Sequence, residues 1–234
     1  MPRPLEAAQL LRAGVLDGVH VLLAGAAVGD VARRSADPGR SAEPDGDVDA
    51  IAPKLTELCS ALGAHVIAWH PGEPVPAGVD ALVVDCAASF AAGRAAASGE
   101  DQATASRAAL SECLDNAWEA THEVANAAFI DARRPGRIVY LAPAAPPASR
   151  ESAARSASRA ASAAGEHSDA ARAGLENLAR TLSIEWARHA ITTVAIAPGA
   201  STRADELATL CAYLCSPAGS YFSGCLLDLR GPGA

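Results

Sequence analysis

The chain has few aromatic residues and no excess of positive charge. Phe, Trp and Tyr make up 4% of its 234 residues, so the core must be built mainly from Ala, Val, Leu and Ile. Small aliphatic side chains favour helices packed closely on a sheet. The net charge of −8 leaves nothing to neutralise a phosphate backbone, so we expect no nucleic-acid partner.

Long apolar runs and paired metal-ligand motifs are also missing. No run approaches the ~20 apolar residues that span a bilayer, and the first residues lack the apolar core of a signal peptide. We therefore expect a cytoplasmic protein without a membrane partner. The cysteines include no CxxC pair, which predicts core residues and no metal site. They are Cys59, Cys86, Cys113, Cys211, Cys215 and Cys225.

Short apolar runs alternate with longer segments of helical periodicity. This alternation is typical of a parallel sheet covered by crossover helices on both faces. We expect one domain over residues 1–234, an α/β fold with about seven strands in three layers. Strands are predicted at 19–23, 65–69, 81–85, 137–141, 191–196 and 225–229, and helices at 51–62, 109–131, 169–188 and 206–215. Ser168 is the predicted N-cap of the third helix.

Two segments do not follow this alternation. Residues 33–50 are polar and rich in Asp, Pro and Gly, and residues 144–166 are almost wholly Ala, Ser, Arg and Pro. Both are predicted to be mobile surface loops, although the alanine run in the second could hold a short helix.

The chain resembles the short-chain dehydrogenase/reductase family, most specifically in its second half. The resemblance rests on DALVVD at 80–85, GRIVYL at 136–141, GLENLARTLSIEWA at 174–187, ITTVAIAPG at 191–199 and SPAGSYFSGCLLDLRG at 216–231. It covers the chain from about Gly18 to Gly231 and implies a Rossmann-like, doubly wound sheet.

The resemblance also shows which catalytic side chains are missing. The family uses a tyrosine as proton donor, a lysine four residues later that lowers its pKa, and a serine at the end of the fifth strand. Alignment on Gly174 places Ser168 at the tyrosine position and Arg172 at the lysine position. Ala142 and Pro143 stand at the serine position. Serine is a poor acid and arginine keeps the charge without the geometry, so the catalytic site is predicted to be degenerate.

Two residues could retain a catalytic role. Asn116 is the candidate survivor of the family's proton-relay asparagine, within one residue of register. His167 adjoins the tyrosine position and is a candidate substitute acid, because histidine is a common general acid in enzymes. A solvated histidine in a loop is the alternative interpretation of His167.

The predicted cofactor site is only partly preserved. The family's TGxxxGxG turn presents backbone amides to a diphosphate. Here Gly25 and Gly29 remain, Val31 replaces the third glycine, and Asp30 adds an unfavourable carboxylate. The second strand ends at Trp69 without the acidic or basic residue that selects NAD or NADP. We expect no NAD(P) binding or weak binding, and a tight turn without a ligand is an equal interpretation.

A further departure follows Pro198-Gly199. The next predicted helix begins within about seven residues, where the family places a long lid over the substrate. Without that lid little encloses a substrate or excludes water.

Together these features predict a non-catalytic subunit that assembles with itself or with an active paralogous reductase. Family members pair through the two long helices and the last strand, here 109–131, 169–188 and 221–229. The outer face of the helix at 109–131 is expected to carry small and apolar groups, namely Ala117, Thr121, Val124 and Ala128. One alternative is an NAD(P)-dependent oxidoreductase acting on a carbonyl or hydroxyl, such as a 3-oxoacyl thioester. A second is a nucleotide-sensing regulatory protein.

Overall fold

A computed structural model describes residues 11–25, 51–97, 102–144 and 158–230, without the side chains of 102–103 and 158–166. The strands are β1 (His20–Ala24), β2 (His65–Trp69), β3 (Ala81–Asp85), β4 (Gly136–Leu141), β5 (Ile191–Ala197) and β6 (Cys225–Asp228). The helices are α1 (Ile51–Ala61), α2 (Cys86–Ala96), α3 (Gln102–Val124), α4 (Ser158–Glu185) and α5 (Ala204–Cys215). A π-helical segment, Ala125–Ile130, extends α3.

All six strands of the described part are parallel, in the order β2-β1-β3-β4-β5-β6. This confirms the predicted α/β, Rossmann-like fold, with six strands where about seven were expected. The strand order reverses between β1 and β3. In open sheets of this kind, ligands bind outside the carboxyl ends of the strands at such a reversal.

Helices cover both faces of the sheet and give three layers. One core lies between the sheet and α2, α3 and α4, and includes Trp69, Phe90, Val124, Tyr140 and Leu175. The other lies between the sheet and α1 and α5, and includes Leu23, Leu55, Val139, Ile196 and Cys211. The scarcity of aromatic residues predicts that the helices pack closely on the sheet. Most of the side chains between them are small or aliphatic, so the layers can approach each other closely.

The loop predicted at 144–166 is wrong from Ser158 onward, where α4 begins, and the alternative of a helix in the alanine run is the correct one there. Residues 145–157 of this segment lie outside the described residues. Alanine has the highest intrinsic helix propensity, and the run after Ser158 contains four alanines within seven residues. Ser168 therefore lies inside the helix and is not its N-cap. The predicted loop at 33–50, together with Gly29, Asp30 and Val31, lies outside the described residues.

Helix α2 was not predicted from the sequence. It starts directly after β3, where the Asp85 side chain accepts a hydrogen bond from the backbone N–H of Ala88 at 3.0 Å and caps the helix. Helix α2 packs along α3 through Gly93, which lets the two backbones come close. Helix α3 also packs against α4, so the three helices form one layer on this face of the sheet.

Candidate functional site

The carboxyl ends of β1 and β3 meet at the point where the strand order reverses. Gly25, directly after β1, has φ of +151°, a conformation that favours glycine. A Cβ atom at Gly25 would lie 2.8 Å from the Cβ of Asp85 and 2.9 Å from its backbone oxygen. The retained glycine therefore packs against the backbone and Cβ of Asp85, the residue that caps α2, in the place where the resemblance implies a phosphate-binding turn.

The end of β2 is closed by an aromatic ring. Trp69 is buried, and its indole N–H donates to the backbone oxygen of Glu73 at 3.2 Å. In the family, the side chain at this strand end selects the ribose of the cofactor. Here the ring turns into the core against α2 and α3 and presents no charged group. Trp69 is consequently a poor fluorescent reporter of a ligand at this edge.

The end of β4 carries no polar side chain at the expected serine position. Ala142 and Pro143 are both buried, and the backbone N–H of Ala142 donates to the oxygen of Ile196 at 2.9 Å. Tyr140, two residues earlier, is fully buried, and Thr121 donates a hydrogen bond to its hydroxyl oxygen at 3.0 Å. Burial raises the pKa of Tyr140 far above its usual range, against a smaller opposite effect of the Thr121 hydrogen bond. A hydroxyl so placed is a core group.

Helix α4 presents two positions of the predicted catalytic group toward the protein interior. Ser168 and Arg172 lie four residues apart, on one face of the helix, and are 5% and 4% exposed. His167 precedes them, is partly buried and lies within α4, so its predicted loop environment is wrong. Ser168 and His167 both have interaction partners in the structure.

The Arg172 side chain points to the end of β6. Its Nη2 lies 3.7 Å from Oδ1 of Asp228, beyond hydrogen-bond distance but within ion-pair range. Among the described residues, Nη1 and Nη2 of Arg172 are buried without a hydrogen bond. Burial lowers the pKa of Arg172, and the charge of Arg230 lowers it further, while Asp228 and Asp169 raise it. A buried guanidinium without hydrogen bonds is costly, since it has lost its water without gaining full replacement.

The carboxylate of Asp228 pairs mainly with Arg230. The Nε of Arg230 lies 2.9 Å from each carboxylate oxygen, and its backbone N–H donates to Oδ1 at 3.0 Å. These hydrogen bonds lower the pKa of Asp228 to about 2, against the opposing effect of burial. Arg172 therefore shares a carboxylate whose acceptor sites are already used.

Asn116 lies on the surface of α3, away from the sheet. Its amide donates to Oε1 of Glu112, one turn earlier, at 3.3 Å. Ser168 and Arg172 thus lie on one face of α4, whereas Asn116 forms its hydrogen bond with Glu112 of its own helix.

The predicted outer face of α3 is wrong. Ala117, Thr121, Val124 and Ala128 are buried within the chain, where they pack toward the sheet. The periodicity located a buried face, but periodicity does not distinguish a face that meets the sheet from one that meets a partner. The solvent face of α3 carries Trp118, which is 47% exposed and in ring contact with His122.

The short connection after β5 is confirmed. Residues 200–203 are all that separate Gly199 from α5. The Thr202 hydroxyl accepts a hydrogen bond from the N–H of Gly199 at 2.9 Å, which makes the connection a tight turn. It packs against Leu229 and Arg230, because a Cβ at Gly199 would lie 3.0 Å from the Leu229 oxygen.

The described residues contain two further features outside the cluster of Arg172 and Asp228. A cleft of about 200 Å³ between α1 and α5 is lined by Lys54, Glu57, Leu58, Ala61, Asp205 and Ala208. At the amino ends of β1 and β2, the rings of His20 and His65 stack with centroids 5.0 Å apart. The described residues include no group of three or more metal-binding side chains, and no described helix is long and apolar enough to cross a membrane.

Comparisons with known proteins show which folds the chain resembles. No protein-family model and no curated protein matches the chain. The citronellol catabolism dehydrogenase AtuB of Pseudomonas aeruginosa PAO1 is similar over 95% of this chain and 98% of its own, with a TM-score of 0.53 and 19% identity. BdcA (YjgI) from E. coli is similar over 92% of this chain and 100% of its own, with a TM-score of 0.50 and 16% identity. The likeness shows the fold, which is one that a dehydrogenase uses.

Proposed function

We propose that this chain is a non-catalytic subunit with the fold of the short-chain dehydrogenases/reductases, which assembles with a copy of itself or with an active paralogous reductase. One observation carries the proposal. At the position of the family's lysine, Arg172 is buried and directed to Asp228 at the end of β6. Four residues earlier, where the proton-donating tyrosine would stand, Ser168 is buried as well. This arrangement supplies no phenol and no ammonium group to a substrate carbonyl.

The surface of the two long helices supports the assembly part of the proposal. Ile184 on α4 is 75% exposed, and Trp118 on α3 is 47% exposed. The exposed face of α4 also carries the small or uncharged residues Ala170, Ala173, Asn177 and Thr181, beside the ion pair of Arg180 with Glu176. Tyr221, next to β6, is 89% exposed. The three elements that mediate pairing in the family therefore each carry an exposed apolar group.

Turnover is the first test. The purified chain, given NADH or NADPH with a panel of ketones and 3-oxoacyl thioesters, should oxidise neither cofactor above the rate without protein. An active family reductase in the same assay controls for the substrates. Robust turnover that is lost in His167→Ala would overturn the proposal and favour an oxidoreductase that uses His167 as its acid.

Assembly is the second test. Light scattering should show an oligomer, either of the chain alone or after mixing with the paralogue. Ile184→Arg and Trp118→Arg should split it, because a stable interface of roughly 1,600 Å² tolerates a central unpaired charge poorly. Ser60→Arg, on the exposed side of α1, is the matched control and should leave the assembly intact. A folded monomer that binds no paralogue at micromolar concentration contradicts the subunit assignment.

A further inference from the structure

The cluster at the ends of α4 and β6 has more hydrogen-bond donors than acceptors. Arg172 and Arg230 both face the carboxylate of Asp228, and Arg230 already engages both of its oxygens. Asp169 on α4 is exposed and adds a second negative charge nearby. The two terminal nitrogens of Arg172 have no acceptor among the described residues. Buried donors of this kind are ordinarily satisfied, so an orphaned guanidinium calls for an explanation such as an absent ligand or ion.

The guanidinium geometry indicates the class of ligand. Its planar fork presents parallel N–H groups that match two oxygens of a carboxylate or phosphate, and such charge-assisted pairs are short and strong. Two arginines around one carboxylate, as here, form an arrangement suited to an oxyanion. Asp228 is an imperfect occupant for Arg172, because their closest side-chain atoms are 3.7 Å apart.

The charged pair beside Arg172 is in contact with solvent. The Asp228 and Arg230 side chains are 34% and 41% exposed, whereas Arg172 is 4% exposed. Exposed ion pairs contribute little to stability, since water solvates both charges when they separate. Rotation of Asp228 toward solvent would leave two guanidinium groups directed at one site.

We propose that Arg172 and Arg230 form a receptor for the oxyanion of a small molecule, a phosphate or a carboxylate group, and that Asp228 is the internal carboxylate which this ligand displaces. The proposed site lies at the carboxyl edge of the sheet, beside the turn after β5 that packs on Arg230. It does not depend on the chain being non-catalytic, because oxyanion binding needs neither a proton donor nor a dinucleotide.

Calorimetry on the full chain tests the proposal, with inorganic phosphate in one series and acetate in another, in chloride buffer at constant ionic strength. Saturable binding is expected for at least one of them. Arg172→Met should abolish it, whereas Asp228→Asn should strengthen it about tenfold because the competing carboxylate is removed. Arg180→Met is the matched control: Arg180 lies on the same helix but pairs outward with Glu176, so binding should be unchanged.

Several results would overturn the proposal: equal binding in Arg172→Met and the unmodified chain, or no saturable binding in both the unmodified chain and Asp228→Asn. If Arg172→Met does not fold, Arg172→Lys replaces it, keeping the charge without the fork, and should bind more weakly; unchanged affinity in this variant also refutes the assignment. The two series separate the sources, because a phosphate ligand gives heat with phosphate alone and a carboxylate ligand with acetate. Turnover of NADH would contradict the proposed function and leave this site standing.

Discussion

The hydrogen bond between Thr121 and Tyr140 joins α3 to β4 inside an apolar core. Tyr140→Phe should lower the free energy of unfolding by about 1–3 kcal/mol, because the Thr121 hydroxyl is left buried without its partner. Thr121→Val in the same background should recover most of that loss, since both polar groups are then gone. Urea denaturation of the single and double variants measures the coupling, and strictly additive losses would show that the hydrogen bond contributes nothing.

Asp228 makes stability depend on pH in the acidic range. Its folded pKa of about 2 lies below the unfolded value of roughly 3.9. The carboxylate therefore contributes stability above that unfolded value, and the contribution is lost as the pH falls through the folded pKa. Because the pair with Arg230 is partly exposed, this contribution is small. Asp228→Asn should lower the melting temperature at pH 7 slightly, and the difference from the unmodified chain should shrink between about pH 4 and pH 2.

Arg230→Gln provides the matching variant, because it removes the donor that depresses the pKa of Asp228. Thermal melts of the three proteins across the acidic range check the assignment. A constant difference between Asp228→Asn and the unmodified chain down to pH 2 would show that another group causes the acid sensitivity.

At the scale of elements, two helical glycines lie at contacts between helices that differ in rigidity. A Cβ at Gly93 of α2 would lie 2.8 Å from the Cα of Ala109, in the backbone of α3. A Cβ at Gly174 of α4 would lie 2.9 Å from Cδ2 of Leu114, the end of a flexible side chain. Both changes to alanine gain about 1 kcal/mol of helix propensity. Only Gly93→Ala requires a helix to shift, because its new Cβ would meet backbone instead of the end of a side chain.

Gly93→Ala should therefore destabilise the protein by about 1–3 kcal/mol, whereas Gly174→Ala should stay within about 1 kcal/mol of the unmodified chain. Chemical denaturation of the two variants side by side provides the measurement. Equal effects would mean that α2 and α3 can separate as easily as Leu114 can rotate.

The strands could be predicted from the sequence because each is a continuous apolar run between turn residues. His65–Trp69 and Ala81–Asp85 have the predicted bounds. Helix α2 could not, since its alanine-rich sequence shows no clear apolar period and its cap, Asp85, also ends a strand. The early start of α4 was predicted only as an alternative, because the low complexity of the segment suggested a loop while its alanine content favours a helix.

The candidate site was predictable only in part. The sequence predicts that Ser168 and Arg172 lie on one face of their helix, because a helix repeats its face every three to four residues. The partner of Arg172 was not predictable, since Asp228 lies on another strand and no spacing rule connects them. The face of α3 was misassigned because buried positions have the same pattern whether they meet a sheet or a partner.

For the whole molecule, the decisive question is whether the reversal point of the sheet still binds a dinucleotide. Gly25 has a positive φ that favours glycine, and the Cβ of the buried Asp85 lies close to it. A carboxylate beside a diphosphate is unfavourable, and more so in a poorly solvated site. Trp69 closes the neighbouring strand end without offering a charged group.

We therefore expect dissociation constants weaker than ~1 mM for NAD and NADP, which corresponds to less than about 4 kcal/mol of binding free energy. Calorimetry is the suitable measurement, because the buried Trp69 ring is shielded from a ligand at this edge. Asp85→Asn keeps an oxygen that can accept from the Ala88 N–H while removing the charge, so it should strengthen binding if repulsion is the cause. A micromolar constant for the unmodified chain would show that the turn after β1 works as a phosphate site despite Asp85, and would favour the nucleotide-sensing alternative over a subunit without a cofactor.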